Sequence, residues 1–245
     1  MKKKDFPIKA YKNLDFLNSS DARTLRILSE YIEPLNRLNK LKINNTVLFF
    51  GATMADPNEK GSPLEKYYWE AEELAYDLAK WAIKLKPGGK NFVICTGGGP
   101  GIMEAANRGA ARADGKSIGM NISIPTQQQF LNPFVSPELS FEFHYFFMRK
   151  FWLIYKAKAV IAFPGGYGTL DEVFEVLTLI QTNKINKDHI VMLLYGEEYW
   201  RKIINFEALL KYKSIAPEDL KLFSYCSNPK EAFSFLKEKL IKHLR

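Results

Sequence analysis

Short apolar runs alternate along the chain with stretches in which apolar residues recur every three or four positions. The runs are typical of buried strands, and the longer spacing is typical of helices that pack on one face. The predicted strands are 46–50, 91–96, 117–122, 141–147, 159–163, 190–195 and 222–226. The predicted helices are 68–85, 102–113, 148–157, 170–181, 198–210 and 229–240. This alternation predicts an α/β fold with a doubly wound, mostly parallel sheet and helices on both faces.

The first part of the chain precedes this alternation and carries a single predicted helix. Ser20 or Asp21 can cap a helix that runs to about Leu38, with Leu25, Leu28, Ile32 and Leu35 on one face. We therefore expect residues 1–45 to form an N-terminal helical extension. Residues 46–245 contain no Ser/Gly-rich or Pro-rich linker, so we expect them to form one domain.

Two glycine-rich turns, 97–101 and 165–168, each follow a predicted strand and precede a predicted helix. Glycines allow the backbone to approach a ligand closely, and the start of a helix offers free N–H groups and a positive dipole end to an anion. Each turn alone is explained equally well by tight packing between a helix and the sheet. Together, in matching positions, they favour a phosphate-bearing ligand. Glu172 lies one turn inside the second helix. Because a phosphate would repel this acid, we expect Glu172 to act on an uncharged part of the ligand.

Several familiar nucleotide and hydrolase patterns fail on their spacing. Residues 97–101 do not fit G-x-G-x-x-G, because the sixth position is Ile102 when counted from Gly97 and Glu104 when counted from Gly99. Residues 109–117 resemble a P-loop, but the spacing is one residue too long and the loop follows a helix. No G-x-S-x-G elbow follows a predicted strand. An NAD enzyme, a P-loop NTPase and a serine hydrolase are therefore not favoured.

The charge distribution limits the expected kinds of binding partner, and the N-terminal sequence limits the expected cellular compartment. The net charge is +8, but four lysines lie in the first ten residues, so we assign most of the charge to a solvated surface and do not expect nucleic acid as the partner. No apolar segment of signal-peptide length follows the basic start, and no run approaches the roughly 20 apolar residues that span a bilayer. We expect a cytoplasmic protein without membrane attachment.

Cysteine and histidine give no sign of a metal site. The two cysteines, Cys95 and Cys226, are too few for a disulfide framework, and Cys95 lies in a predicted buried strand. The three histidines, His144, His189 and His243, are far apart and show no metal-ligand spacing. We expect no metal and no redox cofactor.

Three motifs occur in order along the chain, and they are Thr96-Gly-Gly-Gly-Pro-Gly-Ile-Met-Glu-Ala105, Met148-Arg-Lys150 and Pro164-Gly-Gly-Tyr-Gly-Thr-Leu-Asp-Glu172. Together they resemble the Lonely Guy family, whose members are often labelled "possible lysine decarboxylase". The resemblance covers about residues 46–199. It implies a Rossmann-like phosphoribohydrolase, a homodimer without cofactor, that cleaves the N-glycosidic bond of a nucleoside 5′-monophosphate. The products are the free base and ribose 5-phosphate.

The resemblance also assigns the site residues. The glutamate of P-G-G-x-G-T-x-x-E falls on Glu172 and the arginine of the R-K pair on Arg149, and these two are the expected catalytic residues. The expected substrate-binding residues are Lys150, Gly98, Gly99, Gly101, Gly165, Gly166, Gly168 and Thr169. A carboxylate near the ribose can stabilise the positive charge of an oxocarbenium-like transition state. Because a guanidinium does not release its proton, Arg149 is assigned electrostatic positioning.

The base and the exact activity stay open at this point. The chain has Gly51-Ala52-Thr53-Met54 where many members carry a Gly-Ser-Ala-Arg-like turn. It has Phe147-Met148 where plant-type members carry a His-Glu pair. AMP and an N6-modified, cytokinin-type AMP are therefore both candidate substrates. The alternatives are a broad purine and pyrimidine nucleosidase and a non-catalytic nucleotide sensor or carrier. Nothing identifies a Schiff-base lysine for a pyridoxal-phosphate decarboxylase. We expect residues 125–133 and a dimer partner to build the wall around the base.

Overall fold

A computed structural model describes residues 6–85, 92–124, 130–186 and 190–244 of the chain. The described residues form a seven-stranded sheet in the order β4-β3-β2-β1-β5-β6-β7, and every neighbouring pair of strands is parallel. The strands are β1 Thr46–Phe50, β2 Val93–Thr96, β3 Ser117–Ile122, β4 Ser140–Phe143, β5 Ala157–Ala162, β6 Val191–Tyr195 and β7 Ser224–Cys226. The α/β, Rossmann-like fold class expected from the sequence is therefore confirmed.

Helices cover both faces of the sheet. They are α1 Leu14–Asn18, α2 Arg23–Lys40, α3 Glu65–Ile83, α4 Ile102–Arg112, α5 Phe146–Tyr155, α6 Tyr167–Gln181, α7 Glu197–Ile203, α8 Phe206–Lys211 and α9 Pro229–Leu244. Two apolar clusters, one on each face, form the core. Neighbouring residues of β1 alternate between them, since Leu48 packs in one cluster and Phe49 in the other. None of these helices combines the length and apolarity that crossing a bilayer requires, as far as the described residues show.

The order of the strands reverses between β1 and β5, and this creates a crevice at their carboxyl ends. Successive strands β1 to β4 extend the sheet in one direction, and β5 returns to pair with the other side of β1. The loops after these strands touch, since the N–H of Ala52 donates to the carbonyl of Pro164 at 2.9 Å. The N–H of Ile102 donates to the carbonyl of Ala52 at 3.1 Å, which adds the loop after β2. Three loops thus meet where parallel sheets of this kind bind ligands.

The start of α2 differs from the prediction. The residue that precedes the helix is Ala22, and no side chain caps it, so neither Ser20 nor Asp21 has the expected role. Instead, the guanidinium of Arg26 donates to the carbonyls of Leu17 and Ser19 at 2.7 and 2.6 Å, which holds the chain before the helix. The helix packs against α5, where the indole N–H of Trp152 donates to the carbonyl of Glu30 at 2.8 Å.

Two other predicted elements differ in the structure, since one predicted strand is shorter and one predicted helix is divided. The predicted strand 141–147 ends at Phe143, because the Glu30 carboxylate accepts hydrogen bonds from the N–H groups of His144 and Tyr145 at 2.8 and 3.2 Å and turns the chain into α5. The predicted helix 198–210 is two helices, since the Asn205 side chain accepts from the N–H of Ala208 and starts α8 afresh. The predicted strand start at Asn91 and residues 125–129 of the predicted base wall lie outside the described residues.

Candidate functional site

A cavity of about 600 Å³ opens at the crevice between the loops after β1, β2 and β5. Glu172 and Arg149, which come from different helices, both line it. Its other lining residues are Phe50, Gly51, Ala52, Thr53, Gly97, Gly99, Pro100, Met103, Asn121, Ile122, Ile124, Phe130, Phe146, Gly166, Tyr167, Gly168, Thr169 and Asp171. The fold therefore brings the two expected catalytic residues into one cavity.

Glu172 is an almost fully buried carboxyl on the first turns of α6. Its exposed fraction is 6%, and its Oε2 atom has no hydrogen-bond partner among the described residues. Burial raises the pKa of Glu172 from the ordinary 4.5 to about 7, although the positive charges of Lys150 and Arg149 act in the opposite direction. The negative charges of Glu175 and Asp171 add to the rise. The cavity thus contains an unsatisfied carboxyl that changes its charge near neutral pH, which is a property of functional sites.

Arg149 projects from α5 toward the loop after β2. Its Nε donates to the carbonyl of Met120 at 2.8 Å, while its other N–H groups make no hydrogen bond to the described residues. Burial lowers the pKa of Arg149 from its usual value, and the Glu172 carboxyl partly offsets this change. Gly97 leaves room for the guanidinium, since a Cβ at that position would lie 2.3 Å from Nη2. The guanidinium is therefore held at one end and has donors available for an anion.

The expected glycines divide into two groups. Gly98 and Gly101 have φ angles of +74° and +69°, in the region that favours glycine, and a Cβ on Gly101 would lie 2.2 Å from the carbonyl oxygen of Ala52. A Cβ on Gly165 would lie 2.2 Å from Oγ1 of Thr169. None of these three lines the cavity, so they shape the loops. The expected glycines that line the cavity are Gly99, Gly166 and Gly168.

The N-terminus of α6 faces the cavity through Gly166, Gly168 and Thr169. Gly166 precedes the first helical residue, Tyr167, so the helix begins three residues earlier than the predicted start at position 170. The hydroxyl of Tyr199 in α7 donates to the carbonyl of Gly165 at 2.6 Å and holds this loop. A helix of 15 residues presents its free N–H groups and positive dipole end here, which suits a phosphate.

Lys150, an expected substrate-binding residue, does not line the cavity. Its Nζ lies 2.9 Å from Oδ2 of Asp171 and 2.9 Å from Oε2 of Glu175. Burial acts to lower the pKa of Lys150, but the hydrogen bonds to these two carboxylates raise it overall. In this structure Lys150 compensates negative charge on α6 beside Glu172.

Sequence reasoning missed most of the apolar wall of the cavity and anticipated only Phe130, which lies in the 125–133 segment expected beside the base. Its members come from four different parts of the chain and are Met103, Ile122, Ile124, Phe130 and Phe146. Asn121 and Ile122 could have been found, because they end β3 and therefore lie at the same edge of the sheet as the glycine turns. Within the described ranges, no group of three His, Cys, Asp or Glu residues is placed to hold a metal ion.

Comparison with known proteins agrees with the fold and the motifs described above. The family described as "Possible lysine decarboxylase" matches residues 103–236, a span that includes Arg149 and Glu172. The chain is 32% identical over 130 residues to the pyrimidine/purine nucleotide 5′-monophosphate nucleosidase of Escherichia coli (strain K12). That match covers 46% of this chain but only 27% of the relative's length.

Two solved structures extend the comparison. The protein TM1055 matches with a TM-score of 0.56 and 19% identity, over 79% of this chain and 99% of its own. The molybdenum cofactor (Moco) carrier protein of Chlamydomonas reinhardtii matches with a TM-score of 0.49 and 20% identity, over 81% of this chain and 99% of its own. Since the family match covers more than half of the residues and includes two of the three motifs in full, the chain belongs to the possible lysine decarboxylase family, that is, the Lonely Guy family.

Proposed function

We propose that this protein is a phosphoribohydrolase that hydrolyses the N-glycosidic bond of nucleoside 5′-monophosphates. The observation that carries the proposal is the buried, unsatisfied carboxyl of Glu172 in the same cavity as Arg149 and the N-terminus of α6. A phosphate at the helix N-terminus would leave the ribose near the carboxyl and the base toward the apolar wall. The E. coli relative, a nucleosidase by name, supports this reaction class.

The chemistry needs the ionised form of Glu172. As the C1′–N bond breaks, its electron pair goes to the base and positive charge develops on the ribose, which a carboxylate stabilises. Water then bonds to C1′ and releases a proton, which Glu172 can accept, and the departing base takes up a proton from solvent. Arg149 donates hydrogen bonds to the phosphate or to negative charge on the leaving base. The step consumes one water and needs no further reactant.

AMP and N6-modified AMP remain candidate substrates, and the name of the E. coli relative supports a broader purine and pyrimidine set. The wall of Met103, Ile122, Ile124, Phe130 and Phe146 can contact the face of any nucleobase. We assign the reaction to the cytoplasm, in agreement with the sequence-based expectation.

We also propose that the protein is a homodimer. A surface formed by α2 and α5 is apolar and exposed, and the rings of Tyr31 and Phe151 join its two parts at 5.7 Å. Its exposed members are Leu25, Leu28, Tyr31, Ile32, Phe147, Phe151 and Tyr155. Apolar patches of this kind favour association. Sedimentation equilibrium should give twice the chain mass for the wild type and the chain mass for Leu28→Glu combined with Phe151→Glu; a monomeric wild type would reject the dimer.

The activity is tested by chromatographic detection of free base. Purified protein is incubated with AMP, GMP, CMP, UMP and N6-isopentenyl-AMP, in parallel with the Glu172→Gln and Glu104→Gln variants. Glu104 is a suitable matched control, because it also lies early in a helix beside a glycine turn but binds the Tyr68 hydroxyl at 3.1 Å and does not line the cavity. We expect base release by the wild type and by Glu104→Gln only. Nucleotide binding without base release in the wild type would instead support a sensor or carrier.

A further inference from the structure

A buried network of polar side chains lies directly behind the glycine turn of residues 97–101. Thr96, Asn107 and Asn132 have exposed fractions of 0%, 0% and 2%. The hydroxyl of Thr96 donates to Oδ1 of Asn107 at 2.7 Å and accepts from the N–H of Gly98 at 2.9 Å. A buried network of this kind is stable only when its donors and acceptors are matched, so the positions of its members are closely fixed.

Asn132 connects this network to the glycine turn. Its Nδ2 lies within hydrogen-bond distance of the carbonyls of Gly98 and Gly99, both at 3.1 Å, and of Oδ1 of Asn107 at 3.0 Å. Its backbone N–H also donates to the carbonyl of Gly98, at 2.9 Å. Asn132 therefore holds the backbone of a turn whose next residues, Gly99 and Pro100, line the cavity.

The segment that carries Asn132 also supplies part of the cavity wall. Phe130 lines the cavity two residues earlier, and its carbonyl accepts from Nδ2 of Asn121 at 3.0 Å. The side chain of Leu131 lies against Gly98, where a Cβ would meet its Cδ1 at 2.9 Å. The segment is thus held at both ends, by Asn121 at Phe130 and by Asn132 at the glycine turn.

We propose that Asn132 is a positioning residue that sets the distance between the glycine turn and Phe130 and thereby decides which nucleobases the cavity accepts. The inference rests on the proposed nucleotide function. Without the Asn132 amide, the carbonyls of Gly98 and Gly99 and Oδ1 of Asn107 lose a nearby buried donor. The backbone bond from Asn132 to Gly98 remains, but the turn and the Phe130 segment then move more freely against each other. A cavity with a mobile wall discriminates less between bases, because discrimination depends on contacts that only one base completes.

The test compares kcat/KM for AMP, GMP, CMP and UMP in the wild type, Asn132→Ala and Phe130→Ala. We expect the ratio between the best and the worst nucleotide to fall by about tenfold or more in Asn132→Ala, since single lost contacts in a pocket have effects of this size. Phe130→Ala should reduce the same ratio, and the double variant should reduce it no further, because Asn132 acts through Phe130. Phe130 is 45% exposed, so its variant stays informative if Asn132→Ala does not fold.

Glu72→Gln is the control for a purely structural effect. Glu72 is buried between α3 and α4, where it pairs with Arg108 and Arg112, and it does not line the cavity. Its variant should lose stability and keep the nucleotide ratio of the wild type. Any one of three results would overturn the proposal. In Asn132→Ala, kcat/KM could fall equally for all four nucleotides. In Phe130→Ala, the ratio between the best and the worst nucleotide could stay unchanged, or the wild type could show no preference among the four.

Binding measurements separate this inference from the proposed reaction. If the wild type binds nucleotides but releases no base, the hydrolase proposal fails. The ratios of the four dissociation constants, measured by calorimetry on the same variants, then test the role of Asn132. A loss of preference in Asn132→Ala would support that role without turnover, and preserved ratios of dissociation constants would reject it.

Discussion

The buried carboxyl of Glu172 should lower the stability of the folded protein above neutral pH, and the Glu172→Gln variant should recover that stability. Glutamine has nearly the same size but does not ionise, so the variant removes the proton equilibrium with little change in packing. In the wild type, burial raises the pKa of Glu172 from 4.5 to about 7. The unfolded chain therefore ionises this group at lower pH than the folded protein does.

The magnitude follows from the two pKa values. At about 1.4 kcal/mol per pKa unit, a rise from 4.5 to about 7 amounts to about 3 kcal/mol. Between these pH values the folded state binds more protons than the unfolded state, so the free energy of unfolding falls as pH rises and becomes constant above about pH 7. Most of that fall, about 2 kcal/mol, lies between pH 5 and pH 8.

The assay is urea unfolding of ligand-free wild type and Glu172→Gln at pH 5, 6, 7 and 8. The difference between the two proteins isolates Glu172, since every other titrating group is common to both. We expect the stability of the variant relative to the wild type to increase by about 2 kcal/mol from pH 5 to pH 8, together with loss of base release. A difference in unfolding free energy that does not change with pH would refute the raised pKa.

Three further predictions concern the surroundings of this carboxyl. Lys150→Met removes a positive charge that lowers the pKa of Glu172, so the rise of kcat/KM with pH should move from near pH 7 to higher pH in a pH–rate profile. Gly97→Ala should reduce kcat/KM about a hundredfold, because the new Cβ would lie 2.3 Å from Nη2 of Arg149 and displace it. Gly166→Ala should keep its melting temperature but bind AMP at least about tenfold more weakly in calorimetry, since a Cβ there has no protein atom within 4 Å and Gly166 lines the cavity.

A specific result would contradict each of these three expectations, and Gly166→Ala also has a matched control variant. An unshifted pH profile in Lys150→Met would show that the lysine does not influence the titrating group. The prediction for Gly97→Ala would be contradicted if the variant showed wild-type turnover, or if it failed to fold and lost its activity for that reason. For Gly166→Ala, the matched variant is Gly165→Ala, whose Cβ would lie 2.2 Å from Thr169 Oγ1 and should destabilise the fold. Equal melting temperatures for these two variants would contradict the division between loop-shaping and cavity-lining glycines.

Local patterns were sufficient to predict most of the elements. The apolar run before Gly51 is β1, and the run before Phe163 is β5, because buried strands need only a short continuous apolar segment between turns. Predictions failed where a distant side chain determined the backbone. The carboxylate of Glu30, more than a hundred residues away, accepts from the N–H groups that end the predicted strand near His144. No pattern within that segment records such a bond.

The candidate site likewise has features that local motifs predict and features that depend on distant parts of the chain. The motifs alone indicated Glu172, Arg149 and the two glycine turns, because the order of residue types at these positions is specific to one family. They did not indicate that Lys150 pairs with Asp171 and Glu175 instead of lining the cavity, since that depends on how α5 packs beside α6. They also gave no role to Asn132, whose partners lie in another loop.

The sequence by itself determined the alternation of strands and helices, the glycine turns and the family, because each depends on residues close together in the chain or on a fixed motif. Only the tertiary structure decided the order of the strands, the apolar wall of the cavity and the pKa of Glu172. The reason is physical: burial is the sum of contacts from many segments, and β1, β2, β3 and β5 become neighbours only when the sheet forms. A carboxyl on a helix is ordinary, and it acquires a pKa of about 7 only when the folded chain excludes water from it.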